Sequence, residues 1–542
     1  MNKWQRIMYQ PGVGIGPGGS RVTACEDHRN LSKEAAKEGM VLLKNEGAIL
    51  PLREGSRMAL FGKASFDYVK GGGGSGDVTV EYITNLYQGF EKMGLAGNVH
   101  QETADFYRKW VERQYQAGIE PGMTKEPVLP RELAAEARSF ADTALISICR
   151  FSGEGWDRKS KYDERMDEHA VVIAGNTKDP SLATKETFPE GDFYLTAEEK
   201  AMVEVVTEYF DRVVLVLNVG GMVDTSWFIH DQGIGGVLLA WQGGMEGGLA
   251  AAELLMGQGN PSGKLPDTFA ARLEDYPSSY NFHESDFYVN YTDDIYVGYR
   301  YFETVPGAAG KVNYPFGYGL SYTKFSWQVL EVTECFGKIQ VRINLTNTRK
   351  IPGKEVLQLY GQAPQGKLGK PRKHLLCYEK SRLLQGGESQ IITLKFKMED
   401  MASYDDLGKV FRSAYVLEAG DYFFHLGNSV EDTEKLDYVY KLSEDTLVQQ
   451  LEPKLVPASL PERMLADGSM EKMPQLPERN PRECGLPFQS KEPLDGLKPG
   501  TRQVDGTYCW GQDLYKKGVR PFIEVAKGQM SLEDFVAQMT EE

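Results

Sequence analysis

Cysteine and histidine are scarce: the six cysteines, at 25, 149, 335, 377, 484 and 509, never form a Cys-x-x-Cys spacing, and the seven histidines are scattered. That pattern excludes a disulfide scaffold and a clustered zinc site, so neither a metal centre nor a cofactor is expected. Cys149, inside an apolar run, reads as a small core residue. No stretch approaches the ~18 apolar residues that a membrane-spanning helix needs. Basic residues are in deficit, with 61 Lys and Arg against 77 Asp and Glu and a formal charge of −16. Neither nucleic acid nor an anionic membrane is therefore expected as a partner. The opening Met1-Asn-Lys-Trp-Gln-Arg-Ile-Met-Tyr-Gln-Pro11 has no apolar centre and no small-residue cleavage site, so a cytoplasmic location is expected.

What is present is regular alternation. At 542 residues the chain is long enough for about three to five domains. Leu31-Ser32 introduces a helical segment that spaces Ala35, Ala36, Met40 and Leu43 along one face. Apolar runs at 58–61, 144–150, 213–219 and 234–241 read as buried strands, with helices expected over 131–141 and about 244–257. Thr196 and Glu199 have the spacing of a capping box, and Glu198 and Glu199 read as ordinary first-turn carboxylates. Together these elements predict a doubly wound α/β layer. From Val329 the pattern changes to period two, as in Ile339-Gln-Val-Arg-Ile-Asn-Leu345 and Tyr422-Phe-Phe-His-Leu426, which predicts a β-sandwich. Beyond about Tyr440 a proline- and charge-rich stretch reads as a connector or a segment wrapping the other domains.

Two glycine stretches invite a nucleotide. Gly14-Ile-Gly-Pro-Gly-Gly19 lacks a preceding strand and carries Pro17 inside the required turn. Lys70-Gly-Gly-Gly-Gly-Ser-Gly76 is not followed by Gly-Lys-Ser or Gly-Lys-Thr, leaving a flexible linker or a loop that passes close to a ligand.

The chemistry centres on residues 144–158, where the apolar run opens into Ser152-Gly-Glu-Gly-Trp-Asp-Arg158. Loops at the carboxyl ends of parallel strands are where open α/β sheets hold ligands. Glu154 lies between Gly153 and Gly155, with the indole of Trp156 close in sequence. A carboxyl group shielded by an apolar face has its pKa raised, as a general acid near neutral pH requires. The competing reading is a solvated carboxylate paired to Arg158.

That loop resembles the acid/base loop of glycoside hydrolase family 3, the family of many β-glucosidases. Further likenesses follow in the family's order: Glu34-Ala-Ala-Lys-Glu-Gly-Met-Val-Leu-Leu-Lys-Asn45, the glycine loop 70–76, residues 241–247, Asn260-Pro-Ser-Gly-Lys-Leu-Pro266, Val297-Gly-Tyr-Arg-Tyr301 and Pro315-Phe-Gly-Tyr-Gly-Leu-Ser-Tyr322. Gly353-Lys-Glu-Val-Leu-Gln-Leu-Tyr360 and Leu417-Glu-Ala-Gly-Asp-Tyr422 resemble its fibronectin type III-like domain.

The resemblance implies an α/β sandwich domain over 1–325, a fibronectin type III-like sandwich over 326–440, a connecting or wrapping segment over 441–505, and over 506–542 the start of a (β/α)8 barrel that is cut short. It implies retaining hydrolysis of terminal β-D-glucosyl residues from β-glucosides or oligosaccharides, with Glu154 as acid/base and Trp156, Asp157 and Arg158 binding substrate or orienting the loop. The family's nucleophile is an aspartate in a Ser-Asp-Trp type motif on the barrel. That motif is absent here, Ser285-Asp286-Phe287 being the nearest, so the chain alone is expected to be inactive and to need the barrel as its partner. A β-xylosidase or related exo-glycosidase, and a non-catalytic carbohydrate-binding or scaffold fragment, are the alternatives. The sequence leaves open whether the protein forms a homo-oligomer.

Overall fold

The structure is a computed structural model, and it describes residues 24–72, 78, 80–153, 187–282, 289–453, 460–474 and 522–537. The chain divides into two compact units, one of Ala24–Val456 with Leu460–Met473 and the other of Met1–Thr23, Pro457–Ser459 and Pro474–Glu542.

The first unit begins with an α/β layer. Its sheet holds β1 (Val41–Asn45), β2 (Met58–Phe61), β3 (Thr143–Arg150), β4 (Val213–Val219) and β5 (Ile234–Leu239), in the order β1-β5-β4-β3-β2. Strands β2 to β5 are parallel and β1 pairs antiparallel with β5. Every residue of β2, β3 and β4 is buried. Successive strand residues point to opposite faces, so both faces of the sheet are covered. Its helices of seven or more described residues are α1 (Glu26–Gly39), α2 (Leu86–Lys92), α3 (Gln101–Gln116), α4 (Arg131–Phe140), α5 (Ala197–Tyr209) and α6 (Gly247–Leu255). They contact one another in two series, α3 with α4 and α4 with α5, and α1 with α6 and α6 with α2. Because β2 to β5 are all parallel, their four carboxyl ends share one edge.

One expectation fails at the start of this layer. Met40 and Leu43 do not lie on a helix that Leu31 and Ser32 introduce: α1 runs Glu26–Gly39 without a buried residue, and Met40 to Leu43 are buried at the entry to β1 and within it. Met40-Val-Leu-Leu43 is a contiguous apolar run, which a strand covered on both sides accepts whole and a one-sided helix does not.

From Phe325 the chain forms a sandwich of antiparallel sheets. One holds β6 (Phe325–Cys335), β7 (Lys338–Asn347) and β10 (Ser389–Lys397); the other holds β8 (Val356–Gln362), β9 (His374–Lys380), β11 (Gly420–Gly427) and β12 (Thr433–Leu442). Along β7 alternate residues Ile339, Val341, Ile343 and Leu345 are buried, and they share one core with Leu357, Leu359, Tyr422 and Phe424 of the facing sheet. The layers are tied together by Asn260, whose Nδ2 donates to Pro352 O at 2.9 Å while its Oδ1 accepts from Tyr322 N at 2.8 Å. Lys264 adds an ion pair to Glu355 at 2.8 Å.

The described part of 441–505 contains regular structure. Thr446–Gln450 pairs with Ala414–Leu417, and Glu462–Met464 forms a hairpin with Met470–Lys472. The hairpin is held by Arg463, which donates to Asp406 at 2.9 Å and Glu471 at 3.1 Å.

In the second unit, the stretch expected to begin a barrel has short helices at Ile523–Ala526 and Leu532–Ala537. Ser531 Oγ accepts from Asp534 N at 3.0 Å, a serine cap, and the Phe522 and Phe535 rings meet edge-on at 5.0 Å.

Candidate active site

Four strand ends and the loops that leave them make up the carboxyl edge of the sheet. Beyond β2 the chain turns at Gly62, with φ +87°, where an added Cβ would collide with the carbonyl oxygen of Ser147 on β3. Only glycine fits both that backbone and that approach. The turn delivers Lys63 and Asp67 into the interior, and their side chains are 2% and 0% exposed with Nζ to Oδ2 at 2.9 Å. Asp67 also accepts from Tyr115 Oη and Gly122 N, each at 2.7 Å, and from the Thr124 hydroxyl. Burial alone would raise this carboxyl group; the Lys63 charge and these donors hold it below the usual range instead. Cys149 Sγ lies 3.4 Å from Lys63 Nζ, and burial pushes the thiol up to about 12. It is thus a core residue, as expected, and also a wall of a buried ion pair.

Strand β3 ends in a second pair. Arg150 and Glu199 side chains, both 2% exposed, form a two-pronged contact at 2.8 and 2.6 Å. Glu199 also closes the capping box of α5, accepting from Thr196 N at 2.9 Å while its own N–H donates to Thr196 Oγ1 at 3.2 Å. Burial would raise its pKa, and the charge and hydrogen bonds of Arg150 outweigh that and lower it. The capping box is as expected; the reading of Glu199 as an ordinary first-turn carboxylate is corrected, because it neutralises a buried guanidinium.

The next residues are packed from three sides. Gln242 Nε2 donates to Ser152 O at 3.2 Å. A Cβ on Gly72 would lie 2.7 Å from Ser152 O and 3.1 Å from Gly153 Cα, and one on Gly220 would lie 2.5 Å from Ser152 Cβ. The glycine loop 70–76, as far as it is described, therefore packs on the backbone just before Glu154. Asn218, at the end of β4, accepts from Val69 N at 2.7 Å and donates to Val69 O at 2.9 Å and Trp241 O at 2.7 Å. Trp241 follows β5 with φ +52°, a strained conformation for a non-glycine residue at the same edge.

Glu154, Trp156, Asp157 and Arg158 lie outside the described residues; the chain is followed to Gly153 and resumes at Thr187. The pairs Lys63–Asp67 and Arg150–Glu199 were not anticipated from sequence. The first had a local signal, two opposite charges four apart after a strand; the second joins residues 49 apart in the chain. Among the described residues one group could approach a metal, His100 with Glu102 and Glu136, ligand atoms within 4.8 Å. It belongs to the start of α3 and to α4, its two carboxylates are exposed, and exposed acids need no ion. No described helix is long and apolar enough to cross a membrane.

Residues 40–322, more than half of the chain, match the Glycosyl hydrolase family 3 C-terminal domain. The chain belongs to glycoside hydrolase family 3. Residues 355–430 match the Fibronectin type III-like domain, in agreement with the sandwich. The chain is 54% identical to Beta-glucosidase A of Butyrivibrio fibrisolvens, over all of its own length and 67% of that protein's. It is 33% identical to a Beta-glucosidase of Ruminococcus albus, covering 95% of itself and 49% of the relative. A β-glucosidase structure from Paenibacillus barengoltzii superposes with a TM-score of 0.74 at 37% identity, covering 95% of this chain and 53% of that one. This family 3 chain thus spans between about half and two thirds of the length of these relatives.

Proposed function

We propose that the protein carrying this chain is a retaining β-glycosidase that releases terminal β-D-glucosyl residues from β-glucosides or oligosaccharides, with Glu154 as general acid/base. The supporting observation is the packed root of its loop. Ser152 and Gly153, immediately before Glu154, are fixed by Gly72, Gly220 and Gln242 at the edge where parallel strands present ligand loops. In this role Glu154 protonates the departing glycosidic oxygen and then takes a proton from the water that hydrolyses the glycosyl-enzyme. Trp156 shields the carboxyl group, and Asp157 and Arg158 orient the loop.

Retention requires a second carboxylate about 5–5.5 Å from the acid, attacking the anomeric carbon. We assign it to a barrel of which residues 506–542 are the first part, within the length of the relatives that this chain does not span. On this reading the 542 residues alone do not turn over, and the partners are the glucoside and the barrel.

The test is Glu154→Gln in the full-length protein, assayed on aryl β-glucosides. The kcat/KM of substrates with poor leaving groups should fall about 10²- to 10⁴-fold, the usual worth of general acid catalysis, and much less where the leaving group needs no proton, because this ratio reports the step in which the glycosidic bond breaks. Equal losses on both would remove Glu154 from the acid role.

A further inference from the structure

The guanidinium of Arg150 has five N–H donors, and all five are used. Nε donates to Asp192 O at 2.9 Å, and Nη1 to Cys149 O at 2.7 Å and Glu199 Oε1 at 2.8 Å. Nη2 donates to Tyr194 O at 2.9 Å and Glu199 Oε2 at 2.6 Å, and the face of the group lies over the Phe188 ring, 4.7 Å from its centre. Cys149 and Arg150 are where the chain departs from β3 toward Glu154. Phe188, Asp192, Tyr194 and Glu199 are where it returns into α5. A single buried side chain therefore grips both ends of the stretch that holds the proposed acid.

We propose that Arg150 is a positioning residue: with Glu199 as its counter-charge, it clamps the departing and returning ends of 151–191 together and so sets where the acid of that stretch stands relative to the sheet edge. This inference rests on the reading of Glu154 as acid/base. The geometry favours a clamp over a simple core ion pair because three of the five bonds go to backbone carbonyls, two of them on the returning end. A charge pair needs none of those. A lysine at 150 could neutralise Glu199 but could not span Asp192, Tyr194 and Cys149 at once, because its donors radiate from one atom.

Arg150→Met, Arg150→Lys and Glu154→Gln in the full-length protein separate the possibilities, assayed on aryl β-glucosides with good and poor leaving groups well below each variant's melting temperature. Arg150→Met is expected to lower kcat/KM about 10- to 100-fold on the poor leaving group and several-fold less on the good one, with KM for the poor leaving group changed less than about threefold. Arg150→Lys should recover less than a third of that loss. Hydrogen exchange is expected to quicken at both 151–153 and 187–196 in Arg150→Met. A fall in melting temperature with kcat/KM unchanged, full recovery by lysine, or faster exchange at one end only would overturn the clamp. If exchange quickens at both ends while Glu154→Gln shows no leaving-group dependence, the clamp stands and the acid assignment falls.

Discussion

The carboxyl edge of the α/β sheet and the β-sandwich both bury charge, and they do so for different ends. In the sandwich, Glu418 pairs with Lys370 and accepts from Lys367 N at 2.6 Å and Leu368 N at 3.3 Å. Its donors come from three residues within 367–370, so Glu418, which follows the strand Ala414–Leu417, holds one surface loop. At the sheet edge, Asp67 gathers Lys63 from the β2 turn, Tyr115 from α3, and Gly122 and Thr124 from the loop after it. Arg150 likewise joins a strand to the far end of a long excursion. Glu418 in the sandwich fastens a single loop, whereas Asp67 at the edge gathers donors from three separate stretches, which is what a site assembled from several strand ends requires.

Breaking Asp67 should cost the most. Asp67→Ala strands Lys63 without its partner in the interior, and a loss of about 3–5 kcal/mol is expected in denaturant unfolding. Glu418→Ala should cost about 1–3 kcal/mol, because Gln365, Gly366 and Lys367 are exposed and the loop can open to hydrate Lys370. Equal losses would erase the distinction.

A pH series sharpens it. Glu126 is buried beside the same edge, its Oε2 accepting from Lys63 N at 3.0 Å. Burial pushes its pKa up to about 8 from the ordinary glutamate value of 4.5. The folded state then holds the extra proton between those values, so this group's stabilisation is complete below about 4.5 and is lost as pH rises to about 8. Glu126→Gln should remove that decline, by an amount on the order of a few kcal/mol, in denaturation curves from pH 5 to 9. Parallel pH profiles for the two proteins would refute it. The smallest effect belongs to the sandwich surface: Phe336, at the β6–β7 turn, is 98% exposed, and Phe336→Ser should change stability by less than about 0.5 kcal/mol.

How legible all this was depended on the range of the interaction. Met58–Phe61 and Val213–Val219 were read to the residue because a strand buried on both faces writes itself as an unbroken apolar run. The alternation of β7 gave the sandwich equally directly. Met40 to Leu43 misled because a helix ends at Gly39 and a strand begins two residues later, so two periods overlap in one window. The ion pairs were illegible for another reason. Which carboxylate meets Arg150 is decided by where α5 docks on the sheet, and composition near Arg150 says nothing of it. The capping box showed that Glu199 would fold back on Thr196, while its second partner depended on tertiary packing.

Asn218 offers a last consequence. Its side-chain amide gives Val69 one acceptor and one donor, the pair a neighbouring peptide group would give, and it does so from β4 across the end of β3, since β4 and β2 are not adjacent. The side chain therefore acts as a single rung of sheet placed where no strand runs. Such a rung tolerates no acid: aspartate is nearly the same shape, but it would turn a carboxylate oxygen toward the carbonyls of Val69 and Trp241, replacing two attractions with two repulsions. At this position the difference between a nitrogen and an oxygen decides whether the loop after β2 counts as part of the sheet.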